Sequence, residues 1–185
     1  LHWEQGLGDT LQFCRYAPWL ASRGANVALS VQAPLVRLLQ QMEPQVRVLG
    51  PHEAPAAFDL QCALMSLPLA LWSSAGELAA PAYLQAPADL GSAWAQRLGP
   101  KTRPRVGIAW SGSTTHVNDL NRSIPLAAFA IGLPPDLEVI SLQKELRETD
   151  AGAFQTLRIR DLSAHLADYA ETAALVDQLD LVITV

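Results

Sequence analysis

The strongest constraint on this chain is an alternation of short β-rich runs with helically spaced apolar segments, and the alternation runs twice. Residues 1–3 read as the end of a strand and Gly6 with Gly8 as a turn. Residues 11–22 read as a helix, because Leu11, Cys14, Ala17, Leu20 and Ala21 recur near a 3.6-residue period. Arg23-Gly24 supplies its terminus. Strands at 27–31 and 46–49 follow, with a helix at 35–41 whose first turn accommodates Pro34. Residues 58–61 are a candidate fourth strand, 64–71 an apolar segment of open type, and 73–99 carry little pattern.

The stretch 99–104, Gly-Pro-Lys-Thr-Arg-Pro, is polar and rich in chain breakers, and reads as an interdomain linker. Beyond it the alternation restarts. Strands are expected at 106–110, 138–142, 157–159 and 181–185, the last of buried type. A polar loop spans 111–123 and a helix opens over 125–131. A further helix covers 168–178, with Asp168 as N-cap and Glu171 as its capping-box partner. Two such series predict an α/β chain of two Rossmann-like domains with parallel sheets, residues 1–99 and 104–185. Three or four strands are few for a doubly wound domain, so the second domain is expected to be incomplete and to continue past Val185.

Composition narrows the function classes. Half of the 185 residues are apolar and 17% are charged, which favours a buried core over disorder. The longest apolar runs, such as 67–72, fall far short of the ~20 residues a membrane helix needs, so no transmembrane segment is expected. No secretory leader pattern is visible. A net charge of −5 offers no electrostatic footprint for nucleic acid. Cys14 and Cys62 read as buried thiols rather than a disulfide framework, which suggests a cytoplasmic setting. Eleven Arg against two Lys, with abundant Ala, suggests a bacterial source.

Three constellations carry chemistry. Glu4-Gln5-Gly6-Leu7-Gly8-Asp9-Thr10 lies between the first strand and the first helix. Glycines there let a backbone approach a ligand, and the helix start offers free N–H groups. Equally, Gly6 and Gly8 make a turn and Asp9 caps the helix. The second constellation runs from Trp110-Ser111-Gly112-Ser113 to Arg122-Ser123-Ile124-Pro125-Leu126. Ser111, Ser113, Thr114 and Thr115 can donate to phosphate, and Arg122 offers a planar fork suited to a diphosphate. The plainer alternative is a surface loop in which Arg122 pairs with Asp119. His116, beside Asn118 and Asp119, is the one histidine favoured for a site. The third constellation is Ser141-Leu142-Gln143-Lys144, where Gln143 and Lys144 either face the same cleft or are solvated. No His or Cys cluster has zinc spacing, so no metal ligands are expected. The Walker loop, the complete Gly-x-Gly-x-x-Gly fingerprint and the Gly-x-Ser-x-Gly elbow are absent, which disfavours a nicotinamide dehydrogenase.

Taken in order, these motifs resemble a known family. Residues 4–13 followed by Arg15-Tyr16 resemble the opening of glycosyltransferase-like domains that follow tetratricopeptide repeats in bacterial proteins. Those domains are related to the ADP-heptose:lipopolysaccharide heptosyltransferases of glycosyltransferase family 9. Further matches are Phe58-Asp59 with Leu67-Pro68, Pro81-x-Tyr83-Leu84, residues 107–112, Asn118-Asp119-x-x-Arg122 through Leu126, Ser141-Leu142-Gln143, residues 168–174 and residues 179–183. The resemblance covers nearly the whole chain.

It implies a GT-B fold with the active site in the cleft between two Rossmann-like domains. The donor nucleotide-sugar, a co-substrate rather than a cofactor, is held mainly by the second domain and the acceptor by the first. By this resemblance Asp9 is the general base, and Gly6, Gly8, Ser111, Gly112, Ser113, His116, Asn118, Arg122 and Gln143 serve substrate or donor, with Arg122 on the diphosphate. It also implies metal-independent transfer to a glycan, a lipid-linked sugar or a protein, and repeats upstream. In the family a further Asp-Thr loop and a donor-binding helix follow the Leu-Asp-Leu-Val-Ile strand, whereas here the chain ends at Thr184-Val185. The competing expectations are a non-catalytic scaffold of the same fold and, further off, a sugar epimerase.

Overall fold

A computed structural model describes residues 1–71, 82–114 and 116–185. Trp72 at the end of the 67–72 apolar run, residues 73–81 of the weakly patterned stretch, with Pro81 of the Pro-x-Tyr-Leu match, and Thr115 lie outside the described residues. The chain is α/β with parallel sheets, an arrangement compatible with a Rossmann-like fold. Contacts divide it into two compact units. One holds residues 1–87 with Asp168–Ala170; the other holds residues 88–167 and 171–185. The division thus falls ahead of the 99–104 stretch, because the helix Ala88–Leu98 (α5) packs with the second unit.

In the first unit, β1 (Val27–Ser30) pairs in parallel with β2 (Val46–Leu49). His2 bridges Ser30 on one side and Ala63 on the other, both in parallel. Its N–H donates to the Cys62 carbonyl and its own carbonyl accepts from the Leu64 N–H. The first extended segment therefore lies between β1 and the segment at Ala63. The expected strand at 58–61 does not form. Phe58 and Leu60 are exposed, and the ladder contact falls at Ala63 instead. The expected helix at 11–22 is two helices, α1 (Leu7–Phe13) and α2 (Tyr16–Ala21). Pro18 has no N–H for the Cys14 carbonyl, which the Ala17 N–H takes in a tighter turn, so the ladder breaks there. A 3₁₀ turn over Ala33–Leu35 leads into α3 (Val36–Leu39), and another over Leu64–Ser66 into α4 (Leu67–Ala70). Cys14, Ala17, Leu29, Val31, Leu35 and Leu39 are buried together.

In the second unit, β3 (Arg105–Ala109), β4 (Glu138–Ser141), β5 (Ile159–Arg160) and β6 (Leu181–Thr184) form one parallel sheet in the order β5-β4-β3-β6. The register sets Val106 beside Val139 and Leu181, and Ile108 beside Ser141 and Ile183. Pairing on both edges explains why β3 is buried almost throughout. β6 departs from the expected buried type: among the described residues β3 alone flanks it, and Leu181 and Val182 are exposed.

Helices α6 (Leu126–Phe129), α7 (Ala151–Thr156) and α8 (Tyr169–Val176) complete the alternation. Helix α5 was hidden in the weakly patterned stretch. Its signal is Leu90, Trp94 and Leu98, one buried residue every fourth position. Glu171 accepts a 2.7 Å hydrogen bond from the Trp94 indole, and Asp168 lies 3.8 Å from Arg37. At the end of α5, Arg105 donates to the Gly99 carbonyl and Arg160 to those of Arg97 and Leu98, while both guanidinium groups bind Glu138. The helix carbonyls that lack internal partners are met this way. Among the described residues no helix is long and apolar enough to cross a membrane.

Candidate functional site

In the second unit, strand order reverses between β3 and β6, and ligands of open α/β sheets collect at the carboxyl ends of strands at such a reversal. The loop that leaves β3 there runs from Trp110 to Ile124, whose N–H closes it on the Trp110 carbonyl at 2.9 Å. Asp150, itself buried, holds both ends. Its Oδ2 accepts from the buried Trp110 indole at 2.8 Å and its Oδ1 from the Leu126 N–H at 3.0 Å.

Inside the loop, polar groups converge on Gly112 and Asp119. The Gly112 N–H donates to Ser123 Oγ at 3.1 Å, and the Ser123 hydroxyl donates to Asp119 Oδ1 at 2.8 Å. Arg147 Nη2 donates to the Gly112 carbonyl at 2.9 Å and to Ser123 Oγ at 3.1 Å. It also contacts Asp119 Oδ1 at 2.8 Å and Oδ2 at 2.7 Å. The hydrogen bond from Arg147, then that from Ser123, holds the Asp119 carboxyl below its ordinary pKa, and the charge of Arg122 adds a smaller effect.

The plainer reading, in which Arg122 is the partner of Asp119, is therefore not what forms. Arg122 lays its guanidinium over Gly112. A Cβ at residue 112 would lie 2.7 Å from Cζ and 2.8 Å from Nε. Only glycine leaves that seat open. The side chain is exposed, and among the described residues its guanidinium makes no hydrogen bond or ion pair. Asp119 and Arg122 still adjoin, since one 3₁₀ turn over Asp119–Asn121 brings the Arg122 N–H to the Asp119 carbonyl.

The remaining second-unit positions divide. Ser111 and Gln143 clasp each other: the Ser111 N–H donates to Gln143 Oε1 at 3.2 Å, and Gln143 Nε2 donates to Ser111 Oγ at 3.0 Å. Gln143 thus ties the end of β4 to the loop. Lys144 turns to the Ser163 carbonyl at 3.1 Å. Ser113, His116 and Asn118 occupy the exposed part of the loop, where His116 Nδ1 accepts from the Asn118 N–H at 3.1 Å. Arg147 and Asp150 escaped the sequence reading. Their one signal was an Arg-Glu-Thr-Asp segment just beyond β4, again at a strand's carboxyl end.

In the first unit the corresponding loop follows His2. Gly6 occupies the N-cap of α1 and Asp9 its third position, so Asp9 is not the N-cap. Its Oδ2 accepts the Gly6 N–H at 2.9 Å, a capping bond from within the helix. Thr10 Oγ1 donates to Gln32 Oε1 at 2.9 Å, and Gln32 Nε2 donates to the Gln5 carbonyl at 3.0 Å, which anchors the loop to the end of β1. Gly8 has open space where a Cβ would stand, and its φ is not positive. Gly8 is the second residue of α1, in its first turn, and nothing among the described residues fills the space beside it.

Among the described residues, two cavities in the first unit, of about 300 and 500 Å³, are lined near Ala21, Gln45 and the entries to β1 and β2, and Gly6, Gly8 and Asp9 do not line them. Among the described residues no group of three or more His, Cys, Asp and Glu side chains gathers to hold a metal ion. No family model matches the chain, and neither a curated protein nor a solved structure does.

Proposed function

We propose that the Gly112–Arg122 loop binds the diphosphate of a nucleotide-sugar and that the protein is a glycosyltransferase passing the sugar to an acceptor hydroxyl. The observation that carries this reading is the unengaged Arg122 guanidinium, seated on Gly112 at the end of a central parallel strand. A planar cation held without an acidic partner suits a phosphate oxygen pair, and a developing charge on a leaving diphosphate is stabilised by such a donor. Under the same reading Asp9 removes the acceptor proton as the sugar transfers. Its Oδ2 is engaged by Gly6, and Oδ1 accepts no hydrogen bond among the described residues.

The capping bond of Asp9 favours a second reading, a non-catalytic module of the same fold, since that bond gives the carboxylate a purely structural use. One experiment separates the two. Nucleotide-sugars are screened by thermal shift and then by transfer to mixed glycan, lipid-linked and protein acceptors. The enzyme reading expects binding that Arg122→Ala abolishes, and transfer that Asp9→Asn abolishes with donor binding retained. Donor binding without transfer by the unmodified chain leaves the non-catalytic module. No donor binding at all sinks the enzyme reading and leaves only the scaffold.

A further inference from the structure

We propose that Arg147 is a positioning residue whose task is to occupy Asp119, so that Arg122 stays available to an anionic ligand. This rests on the reading of the Gly112–Arg122 loop as a diphosphate site. Two guanidinium groups meet at Gly112, one lying over its Cα and the other donating to its carbonyl. One carboxylate, Asp119, stands beside them, and it cannot serve both well. Arg147 takes it through both oxygens and adds bonds to Ser123 Oγ and the Gly112 carbonyl. Asp119 is almost buried, so its charge needs a partner. With Arg147 removed, the nearest cation is Arg122, one helical turn away and already close enough to affect the charge of Asp119. Arg122 would then fold down onto Asp119 and be lost to the ligand. The arrangement is a competition between two cations for one acid, settled in favour of the cation that does not bind ligand.

The competition predicts a rescue that simple damage to the loop does not. Inorganic pyrophosphate is titrated by calorimetry into the full chain, into Arg147→Met, into Asp119→Asn and into the double variant. Arg147→Met is expected to weaken binding about tenfold, the scale of one charge-assisted hydrogen-bonding partner diverted. Removing the acid as well is expected to restore most of that loss, because Arg122 then has no rival acceptor. Should Arg147→Met fail to fold, Arg147→Gln against Arg147→Gln/Asp119→Asn reads the same recovery, since a neutral amide can still hydrogen-bond in the loop but carries no charge to hold Asp119. A double variant as weak as the single one overturns the inference, as does a single variant with unchanged affinity. Absence of pyrophosphate binding by the unmodified chain overturns the diphosphate reading and this inference with it.

Discussion

Replacing Gly112 by alanine isolates what the glycine is for. The backbone of residue 112 accepts an L-residue, since among the described residues only Gly24 and Gly99 have positive φ. The added methyl would stand 2.7 Å from Arg122 Cζ. Non-bonded carbon atoms rest about 3.5 Å apart or more, so the guanidinium must retreat by about 1 Å. That retreat costs little in stability, because the obstructed group is the exposed end of a flexible chain. Loss of the glycine's unfolded-state freedom even returns about 0.4–1 kcal/mol. Binding responds differently. A planar fork displaced by that distance forfeits charge-assisted bonds worth about 1.5–3 kcal/mol, or about tenfold to a hundredfold in pyrophosphate affinity. Calorimetric titration and urea denaturation on the same preparation test this: stability within about 1 kcal/mol of the unmodified chain, and affinity sharply lower. Unchanged affinity would refute the seat, and a large loss of stability would show that Gly112 serves the fold instead. Gly107→Ala is the contrasting case. In the middle of β3 the methyl would meet Leu179 Cδ1 and lie 2.9 Å from Leu142 Cδ1, within the packed interior. It is expected to destabilise by about 1–3 kcal/mol.

Three other outcomes follow from the same contacts. Asp150→Ala leaves the Trp110 indole and the Leu126 N–H unpaired, at about 1–3 kcal/mol for each buried donor, read as a lower urea midpoint with unchanged slope. Acid destabilises the second unit through Glu138: burial opposes its charge, but hydrogen bonds from Arg105 and Arg160 outweigh burial and lower its pKa. A lowered carboxyl pKa contributes stability above its unfolded value, near pH 4.3, and loses it as pH falls through the lower folded value. Glu138→Gln should therefore flatten stability against pH below about 4.3, and an equally steep profile would count against the arginine pairings. Burial pushes the Cys14 thiol up to about 12, so at pH 8 a thiol reagent is expected to modify half-buried Cys62 first and Cys14 only with unfolding. Equal rates at both would show that the core of the first unit does not protect the Cys14 thiol.

Local chemistry made part of this molecule readable in advance. Apolar spacing and breakers located β1, β2, β3 and β4 and the loops that leave the first strand of each series, because periodicity and turn residues act over a few positions. The same locality explains the errors. Residues 58–61 have strand-like composition, but pairing falls at Ala63, where His2 is in reach. Helix α5 was overlooked although Leu90, Trp94 and Leu98 mark its buried face, and its membership of the second unit depends on Arg105 and Arg160 holding its last carbonyls. Arg122 could be read as a ligand for anions, but not that it rests on Gly112 or that Asp119 belongs to Arg147.

By itself, then, the sequence determined the α/β alternation, the parallel habit and the two loops with their glycines and polar side chains. Only the tertiary structure decided which charge meets which. Arg147 reaches Asp119 across 28 residues and Gly112 across 35, and Trp110 reaches Asp150 across 40. Such pairings depend on which strands lie side by side, a choice made by burial of the whole sheet rather than by any short run of residues.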